Sequence, residues 1–190
     1  MPDMSNIFSR HNLLRPEKLA EIVAVVFSFL YTYLYIKGNP WCWAFALVGS
    51  AIFMILCYQK KLLAESALQL FYVAMAVYGY VTMSDTWQTN SWGWGHHLIL
   101  IALGTVMMFG MAAALKRFTD AQMPLEDSFT TAFALVATWV MVNYVHENYL
   151  YWIVIDAVSV HLYWKRELYF GSALYFVYTL MVTAGYFGWM

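Results

Sequence analysis

Long apolar runs separated by short polar intervals dominate this chain. Seven stand out, at about 19–36, 41–58, 62–83, 97–115, 127–145, 149–164 and 168–189. Within each run the apolar positions are continuous and do not alternate, which predicts helices and argues against the strands of a barrel. A helix rising 1.5 Å per residue needs about 20 apolar residues to cross ~30 Å of hydrocarbon, somewhat fewer where flanking aromatics sit in the interfaces. The pattern therefore predicts seven membrane-spanning helices. The intervals leave no room for a water-soluble domain, so residues 1–190 read as a single all-α transmembrane domain.

Two of these runs are versions of one helix. Leu62, Ser66, Ala67, Leu68, Tyr72, Met75, Gly79 and Tyr80 recur, 106 positions on, as Leu168, Ser172, Ala173, Leu174, Tyr178, Met181, Gly185 and Tyr186. The same offset carries Glu21 onto Asp127, and Lys60-Lys61 onto Arg166-Glu167. Runs one to three thus match runs five to seven: repeat one is about 19–83, repeat two about 127–189, with a linker helix at about 97–115 between them. An odd number of helices starts each copy on the same side, so the copies run parallel in a 3+1+3, SWEET-like bundle. Duplicated membrane units of this kind point to a transporter, whose halves rock about a site held between them.

Composition agrees with a bilayer. At 63% hydrophobic and 11% charged, the chain cannot cover itself with a polar surface in water. Arg10, Arg15, Lys18, Lys60, Lys61, Lys116, Arg117, Lys165 and Arg166 all fall on one side of a seven-span topology, and Lys37 falls on the other. The positive-inside rule then puts the N-terminus in the cytoplasm and Met190 outside. The tract Thr86 to His97, with Trp87, Trp92 and Trp94, reads as an interfacial aromatic belt on the outer face. The first run has no cleavage signal and reads as a retained helix.

Several chemistries are excluded. A net charge of −1 with no basic patch argues against nucleic acid. Cys42 and Cys57, fifteen residues apart on one helix and so ~22 Å distant, cannot bond to each other. His96 and His97 face different sides of a helix, His146-Glu147 lacks a second histidine four residues on, and His161 is a lone ring, so no metal set forms. The last run holds no lysine for a retinal Schiff base. No phosphate loop, CxxC or nucleophile elbow is present, so neither enzyme activity nor a cofactor is expected.

Candidate ligand contacts lie on two stripes. Tyr149, Trp152 and Asp156 fall at i, i+3 and i+7 of one helix, with the acid ~10 Å beyond Tyr149 and near mid-bilayer. A carboxylate there costs about 2.5–3.5 kcal/mol on insertion scales, so it should face a polar cavity or a partner. A flat cationic ring would stack on Trp152 and Tyr149 while Asp156 offsets its charge. Alternatively, the two rings belong to the interfacial belt and Asp156 bonds to a neighbouring helix. Glu65, Gln69 and Tyr72 form the second stripe; the repeat mates of the last two are Tyr175 and Tyr178. Gln69 could hold a hydroxyl or amide of a ligand, or equally join two helices. Pro40 suits a first helical position, and Trp41 and Trp43 beside it suit interfacial anchoring. Glu21 and Asp127 are either helix-dipole partners or gate residues that pair with Lys60 or Arg166. Gly79 and Gly185 allow close approach or a bend, and Pro124 marks a boundary.

The segment Glu147-Asn148-Tyr149-Leu150-Tyr151-Trp152-Ile153-Val154-Ile155-Asp156 resembles the signature of the Pnu-type bacterial vitamin transporters, Glu-Asn-Trp-x-x-Trp-x-x-x-Asn. Asp127-Ser128, Leu68-Gln69 and Tyr78-Gly79 also match, and the resemblance covers about residues 20–83 and 126–189. It implies multi-pass insertion in the bacterial inner membrane, homotrimers, and facilitated diffusion of nicotinamide riboside that a cytosolic kinase then traps. Tyr149 stands where the family has tryptophan, Asp156 where it has asparagine, and Gly49 where members often carry another asparagine. Similar family members carry thiamine, which makes thiamine the alternative cargo; a non-transporting scaffold or sensor is the remaining class.

Overall fold

The computed structural model describes residues 16–59, 63–83, 90–119, 122–167 and 169–189. Among these residues the chain forms seven helices: α1 (Pro16–Ile36), α2 (Cys42–Gln59), α3 (Leu63–Val81), α4 (Trp94–Phe118), α5 (Pro124–Val142), α6 (Asn148–Lys165) and α7 (Tyr169–Phe187). Arg10, Arg15, Lys60, Lys61, Trp87 and Met190, used above to orient the chain, lie outside the described residues, as do the side chains of Lys18 and Glu65. Four helices, α1, α2, α4 and α5, are long and apolar enough to cross a bilayer by length and composition. In α3 the described stretch Ser66–Val81 is apolar but shorter. Asn148, Asp156, Ser159 and His161 lower the hydropathy of α6, and tyrosine and threonine that of α7.

Several hydroxyls inside these apolar helices are satisfied by the backbone of their own helix. Ser28 donates to Ala24 O at 2.9 Å, Thr138 to Ala134 O at 2.7 Å, Ser159 to Ile155 O at 2.9 Å and Thr183 to Thr179 O at 2.6 Å. Back-bonding four residues toward the N-terminus hides each donor where lipid offers no acceptor.

The chain divides into two compact units, residues 1–83 and 84–190. In the first, α1 packs on α2 and α2 on α3. Gly49 lets α2 approach α1, since a Cβ there would sit 3.4 Å from Phe27 Cβ. A Cβ on Gly79 of α3 would lie 2.6 Å from the indole of Trp43, so only glycine leaves room for that ring. Trp43 is buried against Tyr31 and Tyr35 and is therefore a core residue, whereas Trp41 is exposed. Pro40 lies in the turn two residues before α2 and not at its first position. There the Asn39 side chain accepts from the Trp41 N–H at 3.0 Å, a local bond that shapes the turn.

In the second unit α4 packs on α5, α5 on α6 and α6 on α7. Gly104 brings α4 close to Phe133 and Val136 of α5. Trp92, expected in the interfacial belt, packs instead on the core of Val136, Val140 and Val145, while Trp94 is exposed. Pro124 occupies the start of α5, where its missing N–H costs nothing. His161 faces outward and is not a core ring.

The 106-residue offset reappears as geometry within each unit. Four residues of α2 are buried, Cys42, Trp43, Gly49 and Leu56. Their equivalents Asn148, Tyr149, Ile155 and Leu162 are buried on α6, together with Asp156 and Ser159. Ser66 of α3 donates to Met54 O of α2 at 3.1 Å, and the equivalent Ser172 of α7 donates to Val160 O of α6 at 3.0 Å.

The turns repeat as well. After α1, Gly38 at φ 64° lets its N–H reach Tyr35 O at 3.0 Å and the Asn39 N–H reach Leu34 O at 2.9 Å. After α5, Tyr144 at φ 56° does the same, with Tyr144 N to Met141 O at 2.9 Å and Val145 N to Val140 O at 3.3 Å. Both are paired C-terminal closures that satisfy the last carbonyls of a helix. The second uses a tyrosine in a backbone region that favours glycine.

Candidate functional site

Helix α6 presents the acid and both rings of the first stripe within the second unit. The α5–α6 turn sets its start: the Asn148 side chain donates to Val145 O at 2.6 Å, fixing the turn onto the first helical residue. From there Tyr149, 7% exposed, and Asp156, 4% exposed, lie on the packed face, with half-buried Trp152 between them. Asp156 is the change that distinguishes α6 from its copy, because the equivalent residue on α2 is Ser50, which is half-buried. Among the described residues no hydrogen-bond donor reaches its carboxyl. Its electrostatic neighbour is Tyr178 of α7. The indole Nε1 of Trp152 is likewise buried with no acceptor among the described residues.

Tyr149 differs from the arrangement the sequence suggests. One flank of its ring meets His146 edge-on, with centroids 5.5 Å apart, and His146 in turn stacks on Tyr186 at 5.0 Å. Trp152 is thus the more open of the two aromatic platforms. Tyr175 packs on Tyr163 at 5.0 Å and against Tyr178 at 6.3 Å. Tyr178 is the residue that sequence reasoning passed over, noted only as the mate of Tyr72. Its spacing of three from Tyr175 was the available signal. Gln69 and Tyr72 stand half-buried on α3 of the first unit, Tyr72 beside Phe71 with ring centroids 5.9 Å apart.

Of the two gate candidates, Asp127 lies in the first turn of α5 and accepts from Arg166 Nη2 at 2.6 Å, joining the start of α5 to the end of α6. Both sequence expectations for it, a place at a helix N-terminus and a pairing with Arg166, describe one arrangement. Glu21 is half-buried in α1, and Lys60, its sequence-expected partner, lies outside the described residues.

A second polar cluster assembles residues that the sequence leaves apart. Ser91 donates to Glu147 Oε1 at 2.6 Å, His97 Nδ1 lies 2.9 Å from Tyr151 Oη, and His97 Nε2 lies 3.9 Å from Glu147 Oε2. Asn90 binds the α5–α6 turn through the bonds Asn90 N to Tyr144 O at 2.6 Å and His146 N to Asn90 O at 2.7 Å. Burial alone would push the Glu147 carboxyl up. The Ser91 hydroxyl, the backbone N–H groups of Glu147 and Trp92 and the nearby His97 outweigh it and hold the group below its ordinary value. His97 and Glu147 begin two different runs at the same end of the unit, which was the legible hint of their meeting.

The described residues contain no group of three or more His, Cys, Asp or Glu side chains placed to hold a metal ion. What α6 and α7 offer is a buried carboxylate, an indole face with its N–H, and phenols. That set can bind a flat cation that also carries hydrogen-bond acceptors.

Comparison with known proteins follows the same direction. The family model described as "Nicotinamide mononucleotide transporter" matches residues 18–190. The solved structure titled "Crystal structure of the Vitamin B3 transporter PnuC" has a similar fold, with a TM-score of 0.70 at 20% identity, covering 97% of this chain and 84% of that one.

Proposed function

Because the chain belongs to the nicotinamide mononucleotide transporter family, we propose that it is the uptake route for a vitamin with a cationic aromatic ring, nicotinamide riboside first. It is a multi-pass membrane transporter and not an enzyme. The observation that carries the cationic ring is Asp156, a mid-helix carboxylate at 4% exposure with no donor among the described residues. A permanently charged pyridinium ring supplies the counter-charge that the protein withholds. Trp152 supplies the stacking face, and its indole N–H can meet an amide or ribose oxygen. Tyr178 neighbours the acid, and Tyr149, Gln69, Tyr72 and Tyr175 are further contacts of the same proposal.

Transport is passive uniport in this reading, with the cargo trapped by phosphorylation in the cytosol. The helices form a parallel 3+1+3 bundle in the bacterial inner membrane, as a homotrimer with a cytoplasmic N-terminus. Thiamine is the second reading. It too carries a positively charged ring, and Asp156 and Tyr149 depart from the asparagine and tryptophan of the family signature.

Uptake into proteoliposomes that hold no kinase tests the scheme. Nicotinamide riboside should equilibrate across the membrane, and Asp156→Ala should abolish its entry. Accumulation above the outside concentration would contradict uniport, and undiminished entry in Asp156→Ala and Trp152→Ala would contradict the site.

A further inference from the structure

His97 sits at the start of α4, 6% exposed, with both ring nitrogens aimed at oxygens of the α6 side. Nδ1 is 2.9 Å from Tyr151 Oη. Nε2 faces Glu147 Oε2 across 3.9 Å, and each of these two atoms is buried with no hydrogen-bond partner among the described residues. A neutral imidazole can accept from the Tyr151 hydroxyl at Nδ1 and turn its Nε2–H toward Glu147, with no net charge to draw the carboxylate in. An imidazolium places a full positive charge opposite the Glu147 carboxylate and makes the contact an ion pair. At 3.9 Å the second contact is too long for a hydrogen bond, whereas a charge-assisted bond closes to about 2.7–2.9 Å.

We propose that His97 is a proton-binding positioning residue: on protonation it draws Glu147 and Tyr151 together and fixes the first turns of α6 against α4, which sets the pose of Trp152 and Asp156. The proposal rests on the transport reading for its consequence, though not for its chemistry. Glu147 directly precedes α6, and Tyr151 adjoins Trp152 in the chain, so a movement of about 1 Å at the pair is delivered to the stripe. Among the described residues the other titratable groups near the pair are His96 on α4, tilted against Trp92 at 5.8 Å, His146, stacked on Tyr186 of α7, and Tyr151 itself. Lys116, Arg117, Lys165 and Arg166 stand at the far ends of α4 and α6. Among the described residues, Glu147 is therefore the charge that His97 meets.

The test measures nicotinamide riboside uptake by proteoliposomes, with pH set equal on both sides between 5 and 8, the range in which histidine changes charge. In parallel, the His97 ring is followed by NMR in the detergent-solubilised full chain. The KM of the unmodified protein should fall at least threefold from pH 8 to pH 5.5, with kcat changed less. His97→Gln should hold KM at the high-pH value throughout. Glu147→Gln should remove at least half of the pH effect and move the midpoint of the ring titration to lower pH. His97→Asn provides a second neutral variant should His97→Gln fail to fold. A KM profile shared by the unmodified protein and both neutral variants would overturn the proposal, as would a ring titration unaltered by Glu147→Gln. Should the protein carry no nicotinamide riboside at any pH, the transport reading fails, and the ring titration still decides the proton site.

Discussion

Asp156 and Trp152 were visible in the chain as a spacing, and the fold adds what spacing could not give: which side of the helix is packed. The i, i+3, i+7 pattern fits equally a belt of interfacial rings and a ligand stripe. Burial of the acid without a donor favours the second. Removing the carboxyl charge by Asp156→Asn should weaken cation binding at least tenfold. Trp152→Ala should cost about 2- to 30-fold, the equivalent of one aromatic face at about 0.5–2 kcal/mol. Both are checked by titration calorimetry on purified protein. His97 and Glu147 were legible individually and not as a pair, because they lie fifty residues apart in the chain. Since the folded environment lowers the Glu147 carboxyl from its ordinary 4.5, its ionised form contributes stability above about pH 4.5. That contribution is lost as pH falls through the lower folded value. Thermal unfolding in detergent between pH 3 and 6 should therefore steepen on the acid side in the unmodified protein and less so in Glu147→Gln.

Among the elements, the duplication was legible from eight identities between residues 62–80 and 168–186, and it extends further than those identities. Cys42 and Asn148, or Gly38 and Tyr144, share no chemistry, yet they occupy the same buried place or the same turn. Sequence comparison misses such pairs because backbone geometry survives replacement of the side chain. The paired hydroxyl bonds predict paired effects. Ser66→Ala and Ser172→Ala should each destabilise by about 0.6 kcal/mol, the common worth of an interhelical polar contact in lipid. Unequal losses in chemical unfolding, with one near zero, would show that only one copy relies on that bond. Gly79→Ala should cost about 1–3 kcal/mol by forcing the Trp43 ring aside, read by the same unfolding assay. The Asp127–Arg166 pair is partly exposed, so Arg166→Gln should cost under about 1 kcal/mol. A large change in transport rate with that small loss would mark the pair as a gate, and an unchanged rate would mark it as a brace between α5 and α6.

The whole molecule is a helical membrane protein whose seven runs all became helices, with bounds shifted by a few residues at most ends. Four of the seven are long and apolar enough by themselves, and the described part of α3, Ser66–Val81, is apolar but shorter. The polar residues Asn148, Asp156, Ser159 and His161 are the physical reason that α6 reads more weakly as a membrane segment. Half of the α5 segment is buried inside the fold, against 11% for α1 and α4, so the most protected helix is one that hydropathy alone would not single out. Its small residues, Ala132, Ala134 and Ala137, let neighbours approach from both sides, and that signal was present in the chain.

The central claim is that a buried carboxylate beside an indole recognises a positively charged aromatic vitamin. Titration calorimetry of nicotinamide riboside, followed by thiamine, into the purified protein and its Asp156→Asn variant tests it most directly. The account predicts saturable binding of one or both cations to the unmodified protein, at least tenfold weaker in the variant. Equal affinity in the two proteins, or no binding of either cation by the unmodified protein, would contradict it.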